Sequence, residues 1–321
     1  MFSFTRVYPF SKWQKPILVF VAALLIGAYA LMFLKTPNYG IDFAGGTVIQ
    51  ARYETAAPKE AIESALKGTL FDGAIVQEFG SEQEVVIKAP AATDSLGKDA
   101  GDLMREILQN TGEFEIRKVD MVGAKAGEQL RTAGTLAVVV SLIGILLYVA
   151  LRFEWRFAVA ATLCAIHDIS LTVGFILLFD VPINLDILAA LLTVLGYSLN
   201  DTIVVFDRIR EIMVSKTGAS KLNEVVDEAI SRTLSRTMLT SFTTLFVVFA
   251  TYAFGGEALK SLSLVLIAGI TIGTLSSIFV AASILSPLGV SVSDWKAREA
   301  RRAQAKAEKA RMRAMYEKGT I

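Results

Sequence analysis

Six long apolar runs restrict what this chain can fold into. Each is long enough to cross the hydrocarbon core of a bilayer, about 30 Å thick, as a helix of roughly 20 residues. In lipid, every backbone polar group must be satisfied within the segment, so such runs form helices. The runs cover 16–34, 133–151, 157–179, 187–206, 238–255 and 262–285. The sequence therefore predicts an α-helical polytopic membrane protein with six transmembrane helices.

The first apolar run follows a basic segment that contains Arg6, Lys12 and Lys15, as a signal peptide would. However, the run is longer than the apolar region of a signal peptide, and "ALMFLKTP" lacks a small-x-small cleavage site. We therefore expect an uncleaved membrane anchor.

The Lys and Arg residues of the short loops predict the orientation. Arg152 and Arg156 lie between spans two and three, and six further cations lie between spans four and five, whereas the loop at 179–186 has none. Loops rich in Lys and Arg face the cytoplasm, so both termini are expected there. The predicted organisation is a cytoplasmic N-terminus at 1–15, a first span at 16–34, an outer domain at 35–131, a bundle at 132–292 with a cytoplasmic loop at 207–237, and a basic tail at 293–321.

The only large hydrophilic segment, residues 35–131, lies between the first two spans. It carries 11 Lys and Arg against 16 Asp and Glu, and an acidic segment of this kind does not favour nucleic-acid binding. Strand-like runs occur at 46–53, 74–79, 84–89 and 113–122, with helix-like runs at 58–68 and 99–110. The order β-α-β-β-α-β predicts a ferredoxin-like α+β domain on the outer, periplasmic side, and a short helix is expected near 124–131.

The stretch "GIDFAGGT" joins the first span to this domain. Gly40, Gly45 and Gly46 permit backbone conformations that are closed to other residues, and Asp42 can accept hydrogen bonds from nearby amides in an Asx-type turn. A structural junction and a contact surface for a moving partner are both compatible with this pattern.

Ionisable residues interrupt two of the apolar runs. Asn200 and Asp201 lie in the fourth span, and His167 and Asp168 lie in the third. An ionised side chain at a helix centre costs about 2.5–3.5 kcal/mol on insertion scales, so these carboxylates must face protein or water. Arg236, near the start of the fifth span, is expected to pair with Asp201 if helices four and five are neighbours.

Two roles remain open for these acids. A polar bridge between membrane helices contributes only about 0.6 kcal/mol on average, which is small against the insertion cost. A carboxylate whose surroundings change can instead take up and release a proton. Small residues in "GITIG" (269–273), together with Ser170 and Gly174, favour close helix packing.

The sequence contains no signature of a conventional enzyme. It has no nucleotide-binding motif, no metal-ligand cluster and no serine-hydrolase pattern, and its only cysteine is Cys164. We therefore expect neither a cofactor nor a metal, and the energy must come from an ion gradient or a partner. The tail at 294–319 is rich in alanine and carries nine Lys or Arg against four acids; it is either a solvated helix or a contact for anionic lipid or another cytoplasmic component.

Four motifs together resemble the SecF branch of the SecD/SecF family of protein-export membrane proteins, which is similar to the RND transporters. The motifs are "GIDFAGGT", "HD" at 167–168, "GYSLNDTIVVFDRIRE" at 196–211 and "SRTLSRTMLTSFTTL" at 231–245. The resemblance implies an accessory subunit of the bacterial Sec machinery in the inner membrane, driven by the proton-motive force. It implies a role in proton passage for Asp201 and Arg236, and we add Asn200, Asp168 and His167 as candidates.

The resemblance also implies partners. A separate SecD chain would supply the other half of a twelve-span RND-like unit, and the SecYEG translocon, a translocating preprotein, membrane lipids and YajC are further expected partners. An RND-like exporter of small or lipidic molecules is the alternative function, and a passive scaffold is a third. The choice between proton and sodium as the coupling ion stays open.

Overall fold

The computed structural model describes residues 7–89, 100–216 and 221–317. The expectations that concern Arg6, the start of the second soluble helix at residue 99 and the tail beyond residue 317 lie outside the described residues. A short 3-10 helix, Phe10–Trp13, precedes the α-helices. These are α1 (Gln14–Leu34), α2 (Ile41–Ala44), α3 (Lys59–Leu66), α4 (Ala100–Leu108), α5 (Ala124–Arg152), α6 (Trp155–Leu178), α7 (Leu185–Ser215), α8 (Leu222–Phe254), α9 (Gly256–Phe279), α10 (Ala281–Leu285) and α11 (Val292–Glu317).

Six of these helices, α1 and α5 to α9, are long and apolar enough to cross a membrane, which confirms the predicted number of spans. Most of them extend beyond the apolar runs. The short helix expected near 124–131 is not separate, because α5 is continuous from Ala124 into the second span. The sixth apolar run is divided at Val280 between α9 and α10.

The six long helices form an inner and an outer group. About half of the apolar window is buried in α6, α7 and α9, compared with 6% in α1 and 11% in both α5 and α8. The exposed side chains of the outer helices are large and apolar, as is expected where a helix faces lipid tails. The polar side chains discussed below lie mainly on the inner helices.

Small residues let two inner helices approach closely. A Cβ atom added at Gly269 of α9 would lie 2.3 Å from Cγ2 of Val194 on α7, and one added at Gly273 would lie 3.0 Å from Cβ of Ser198. The close packing predicted from "GITIG" is therefore confirmed, with α7 as the neighbour. Gly174 has the same role in α6, since its Cβ would lie 2.7 Å from that of Ala28 on α1.

The segment between α1 and α5, which we call the soluble domain, forms a four-stranded antiparallel sheet covered by two helices. The strands are β1 (Gly46–Tyr53), β2 (Ile75–Phe79), β3 (Ser81–Ala89) and β4 (Phe114–Val122), in the spatial order β2-β3-β1-β4. With α3 and α4, the chain order is β-α-β-β-α-β, as predicted, and the central position of β1 and β3 is that of a split βαβ arrangement. Its core includes Ile49, Ile87, Ile62 and Leu108, all fully buried.

Candidate functional site

Asp168 of α6 is the centre of a polar contact between three inner helices. Its side chain is fully buried, with 0% exposure. The carboxylate oxygen Oδ2 accepts hydrogen bonds from the hydroxyls of Ser198 on α7 and Ser276 on α9, the latter at 2.8 Å. The other oxygen, Oδ1, lies 2.7 Å from Nδ1 of His167. Because both oxygens have partners, Asp168 can remain buried and link α6, α7 and α9.

His167 is joined to this cluster through only one of its ring nitrogens. Its side chain is 7% exposed, and Nε2 is buried without a hydrogen-bond partner among the described residues. The adjacent His167 and Asp168 predicted from the sequence therefore contact each other directly, and the imidazole keeps one nitrogen for a further donor or acceptor.

A second polar connection joins α7, α8 and α9. The hydroxyl of Tyr197 donates to Ser241 Oγ at 3.2 Å, and Ser241 Oγ lies 2.8 Å from Thr274 Oγ1. Sequence reasoning missed Ser198, Ser241, Thr274 and Ser276. Serine and threonine are frequent in membrane helices, and their own helix carbonyls can satisfy them, so no local signal marks those that bond across helices.

Asp201 also lies on α7, one turn from Ser198, but its environment differs from that of Asp168. The residue is 3% exposed, and its Oδ2 atom is buried without a hydrogen-bond partner in the described part of the chain. Thr237, on α8, also has a buried hydroxyl that lacks a partner there. An unsatisfied buried polar group costs roughly 1–3 kcal/mol, so these groups are open to a further hydrogen-bond partner, unlike the satisfied cluster around Asp168.

Asp201 and Arg236 attract each other without forming a contact ion pair, since the charge of Arg236 acts on the Asp201 carboxylate. Helices α7 and α8 are neighbours, as the pairing requires. However, the side chain of Arg236 is exposed, and no ion pair joins it to Asp201 among the residues that the structure describes. Asn200 is exposed as well. A side chain as long as that of Arg can reach the aqueous boundary from inside the membrane edge, and the exposed side chain of Arg236 agrees with such a position.

The charged residues at the end of α7 pair locally, as expected of a membrane boundary. Arg208 forms an ion pair with Glu211 at 2.7 Å, and Arg210 lies 3.9 Å from Asp207. These pairs lie among buried apolar residues of the same helix such as Ile209 and Ile212, and Arg210 also lies over the ring of Trp295.

The glycines of "GIDFAGGT" provide a close backbone junction. Gly45 has φ +77°, and its Cβ would lie 2.8 Å from Cα of Ala124 at the start of α5. Gly46 has φ +142°, and its Cβ would lie 2.4 Å from the carbonyl oxygen of Ala89. Any larger residue at either position would collide with backbone atoms, so Gly45 allows the close approach to α5 and Gly46 the close approach to the end of β3.

The other end of this motif is attached to α7. Asp42 Oδ2 accepts a hydrogen bond from the amide of Leu185, the first residue of α7, at 3.0 Å. The amide of Gly40 donates to the carbonyl of Ile183 at 2.7 Å, and the amide of Ile183 donates to the carbonyl of Asn38. The sequence predicted that Asp42 would accept from nearby amides in an Asx-type turn. In the structure its carboxylate accepts from the N-terminus of α7, 143 residues away.

The soluble domain has a charged groove of about 900 Å³ with Tyr53 in its lining. The groove is also lined by Arg52, Glu54, Gln83, Arg105, Gln109, Gly112, Glu113, Phe114, Glu115 and Arg117. Burial raises the pKa of Tyr53 above its ordinary value of 10.0, and a 2.8 Å hydrogen bond with Thr111 opposes part of that shift. The groove carries charges of both signs, which suit a polar polypeptide segment better than an apolar small molecule.

Two family models match the chain. "Protein export membrane protein SecD/SecF, C-terminal" matches residues 103–291, and "SecD/SecF GG Motif" matches residues 30–57, which include the junction.

Proteins similar to this chain over most of its length are named as subunits of a protein translocase. The chain is 40% identical over 322 residues to "Protein translocase subunit SecF" of Helicobacter pylori, covering 100% of this chain and 99% of that protein. It is 44% identical over 283 residues to the subunit of the same name from Vibrio alginolyticus, covering 88% and 90%. It also resembles the crystal structure of SecDF, a translocon-associated membrane protein from Thermus thermophilus, with a TM-score of 0.79 and 33% identity. The match covers 89% of this chain but only 39% of the SecDF chain.

Proposed function

The chain belongs to the SecD/SecF family of protein export membrane proteins, and from this we propose that it is an accessory subunit of the Sec protein translocase that uses the proton-motive force. The relatives that it matches over nearly its whole length are translocase subunits named SecF. It spans about two fifths of the SecDF chain, which supports a separate SecD partner that completes the unit.

The observation that carries the proposal is the contrast between two buried acids. Asp168 has partners for both of its oxygens, whereas Asp201 has a buried oxygen without one among the described residues. A carboxylate fully held by donors has a fixed role. One with an unpaired buried oxygen can change its protonation when water or a cation approaches. Asp201 is therefore the better candidate for the group that carries the proton.

Arg236 supplies the movable cation in this mechanism. It lies on the helix next to Asp201 with its side chain exposed, so a small shift between α7 and α8 would bring the guanidinium and the carboxylate together or apart. Asn200, exposed beside Asp201, offers an amide for the same path. His167 and Asp168, the other candidates for proton passage, have a fixed role in this proposal and hold α6 beside the proton route.

The connection from α7 to the junction would convert this change into movement of the soluble domain. Asp201 lies on the helix whose first residue is bound by Asp42, and Gly45 and Gly46 join that motif directly to β1 and α5. Moving one charge through the membrane potential supplies about 2.3 kcal/mol per 100 mV. A shift of α7 driven by this energy would displace the soluble domain relative to the bundle.

The proposal includes a membrane, an orientation and a set of partners for the protein. We place it in the bacterial inner membrane with both termini in the cytoplasm and the soluble domain in the periplasm, following the Lys and Arg of the loops. SecD, the SecYEG translocon and the translocating preprotein are its proposed partners, with YajC as a further one. It acts as a transport subunit and does not catalyse a conventional enzymatic reaction.

Export from membrane vesicles tests this function. Asp201→Asn keeps the shape of the side chain but cannot take up a proton, so we expect normal assembly with SecD and loss of the export gained from an imposed pH gradient. Asp207→Asn, the same substitution six residues further along α7 on an exposed side chain, is the matched control and should keep the stimulation.

The alternatives give different outcomes in the same assay. A passive scaffold predicts full stimulation in Asp201→Asn vesicles. Stimulation by a sodium gradient in place of a pH gradient would identify sodium as the coupling ion. An exporter of small or lipidic molecules would transport a defined compound when reconstituted with SecD, and the charged groove of the soluble domain does not favour that activity.

A further inference from the structure

The helix α11 is fastened to the bundle by its first two turns. The ring of Trp295 is 6% exposed and packs edge-on against Phe157 of α6, with ring centroids 5.7 Å apart. Arg210 of α7 lies over the same ring, 5.4 Å from its centroid. Arg298 then forms an ion pair with Glu154, next to the start of α6. The helix therefore leaves the bundle at the level where α6 begins and α7 ends.

Beyond these turns, α11 has a basic and an alanine face. Lys306, Lys309 and Arg313 follow Trp295 by 11, 14 and 18 residues, so helical spacing places them on the same side as the docked ring. We call these three residues the basic face, and all three side chains are exposed. The opposite side is formed by Ala300, Ala307 and Ala314, with Arg311 as its cation.

We infer that the basic face binds the anionic phospholipid headgroups of the same membrane in which the bundle sits. The basic face lies on the same side of α11 as Trp295, which packs against the end of the bundle. The headgroup layer surrounds the bundle at that level. Tryptophan and arginine such as Trp155 and Arg156, at the start of α6, are typical of that layer.

The chemistry of both faces favours an electrostatic contact. From residue 296 to residue 317 the chain carries eight Lys or Arg against three Glu, so it attracts an anionic surface within a Debye length of about 8 Å. The alanine side carries one exposed large apolar side chain, Met315, whereas amphipathic helices that insert into the acyl region carry a continuous row of them. Each cation near such a surface favours association roughly fivefold, so the contact must be sensitive to salt and to lipid charge.

Hydrogen–deuterium exchange of the full-length protein in nanodiscs tests this inference. We expect the amides of residues 300–313 to exchange severalfold more slowly in nanodiscs that contain phosphatidylglycerol than in phosphatidylcholine alone, and molar salt should remove the difference. Equal exchange in the two lipids would overturn the inference. Slower exchange on addition of an RNA oligonucleotide, without an effect of phosphatidylglycerol, would also overturn it.

Two variants with the same change in charge test the face. Lys309→Gln removes a cation of the basic face, and Arg311→Gln removes one from the opposite side two residues away. Glutamine is a good helix former, so neither change should unfold α11. We expect Lys309→Gln to reduce the protection by phosphatidylglycerol several times more than Arg311→Gln does. An equal reduction in both variants would contradict binding through this face.

Discussion

The carboxylate of Asp42 and the backbone amide of Leu185 are joined by a 3.0 Å hydrogen bond, although 143 residues separate them. Asn184 caps the same helix from within the chain, since its side chain accepts from the amide of Ile187 at 3.0 Å. Two of the free amides at the start of α7 are thus satisfied, and one acceptor belongs to the junction of the soluble domain. The N-terminus of the helix that carries Asp201 is therefore hydrogen-bonded to the junction that supports the soluble domain.

Asp42→Ala should weaken this attachment. Loss of a capping acceptor costs roughly 0.5–2 kcal/mol, so we expect a lower unfolding temperature in detergent and weaker gradient-stimulated export, while Asp42→Asn keeps an acceptor and most of both. Asp120→Ala, on an exposed strand position paired with Lys118, is the control for charge removal. If Asp42→Ala exported normally under a pH gradient, the junction would not transmit the movement of α7.

The sequence predicted the elements well because their signals are local. Apolar length indicates a membrane helix, and strand and turn patterns indicated the β-α-β-β-α-β order. The partner of Asp42 was missed because it depends on how Leu185, a residue without any polar side chain, is brought next to the junction. The pairing of Asp201 with Arg236 was expected from shared depth, yet depth does not fix the rotation of each helix, so Arg236 acts on Asp201 through its charge while its side chain stays exposed.

Gly269→Ala should separate α7 from α9. The new Cβ would lie 2.3 Å from Cγ2 of Val194, a branched side chain with little freedom, so overpacking should cost about 1–3 kcal/mol in unfolding free energy. Adding Val194→Ala should restore much of that loss. Gly144→Ala of α5 is the control, because no described heavy atom lies within 4 Å of its added Cβ. Thermal unfolding in detergent distinguishes these variants, and equal effects of the two Gly→Ala changes would refute the close contact.

Tyr53 makes the soluble domain less stable in alkali. Burial raises its pKa in the folded state above the ordinary value of 10.0, so the unfolded chain loses the phenolic proton first. Between pH 10.0 and the raised value, the folded state binds more protons, and the free energy of unfolding therefore falls as pH rises. Tyr53→Phe should flatten this fall, with Thr111 still bonded to the carbonyl of Leu108 at 2.7 Å.

Pulse proteolysis of the full-length protein in urea, repeated across the alkaline range, measures the Tyr53 effect. Tyr148→Phe, on the exposed surface of α5, should leave the pH dependence unchanged. A Tyr53→Phe protein that lost stability with pH as steeply as the native chain would exclude this tyrosine as the cause.

Ser276 and Ser263 test how far hydrogen bonding to Asp168 stabilises the bundle, since both are buried serines of α9 but only Ser276 bonds Asp168. Ser276 donates to the Asp168 carboxylate at 2.8 Å, whereas the hydroxyl of Ser263 has no partner in the described chain. Ser276→Ala leaves Asp168 Oδ2 with one donor fewer and should lower the unfolding free energy by roughly 1–3 kcal/mol. Ser263→Ala should be neutral or slightly stabilising.

Asp168→Asn should behave as a stability variant and Asp201→Asn as a coupling variant. An amide at position 168 offers one acceptor and one donor where the carboxylate offers two acceptors, so at least one of its bonds must reverse direction or weaken, and the unfolding temperature should fall. At position 201 the unpaired oxygen makes the change inexpensive, so stability should be kept while the response to a pH gradient disappears. Unfolding in detergent and vesicle export measure the two effects separately. If Asp168→Asn kept native stability but lost the gradient response, the proton-carrying acid would be Asp168, because only a titrating group fails in that way without loss of packing.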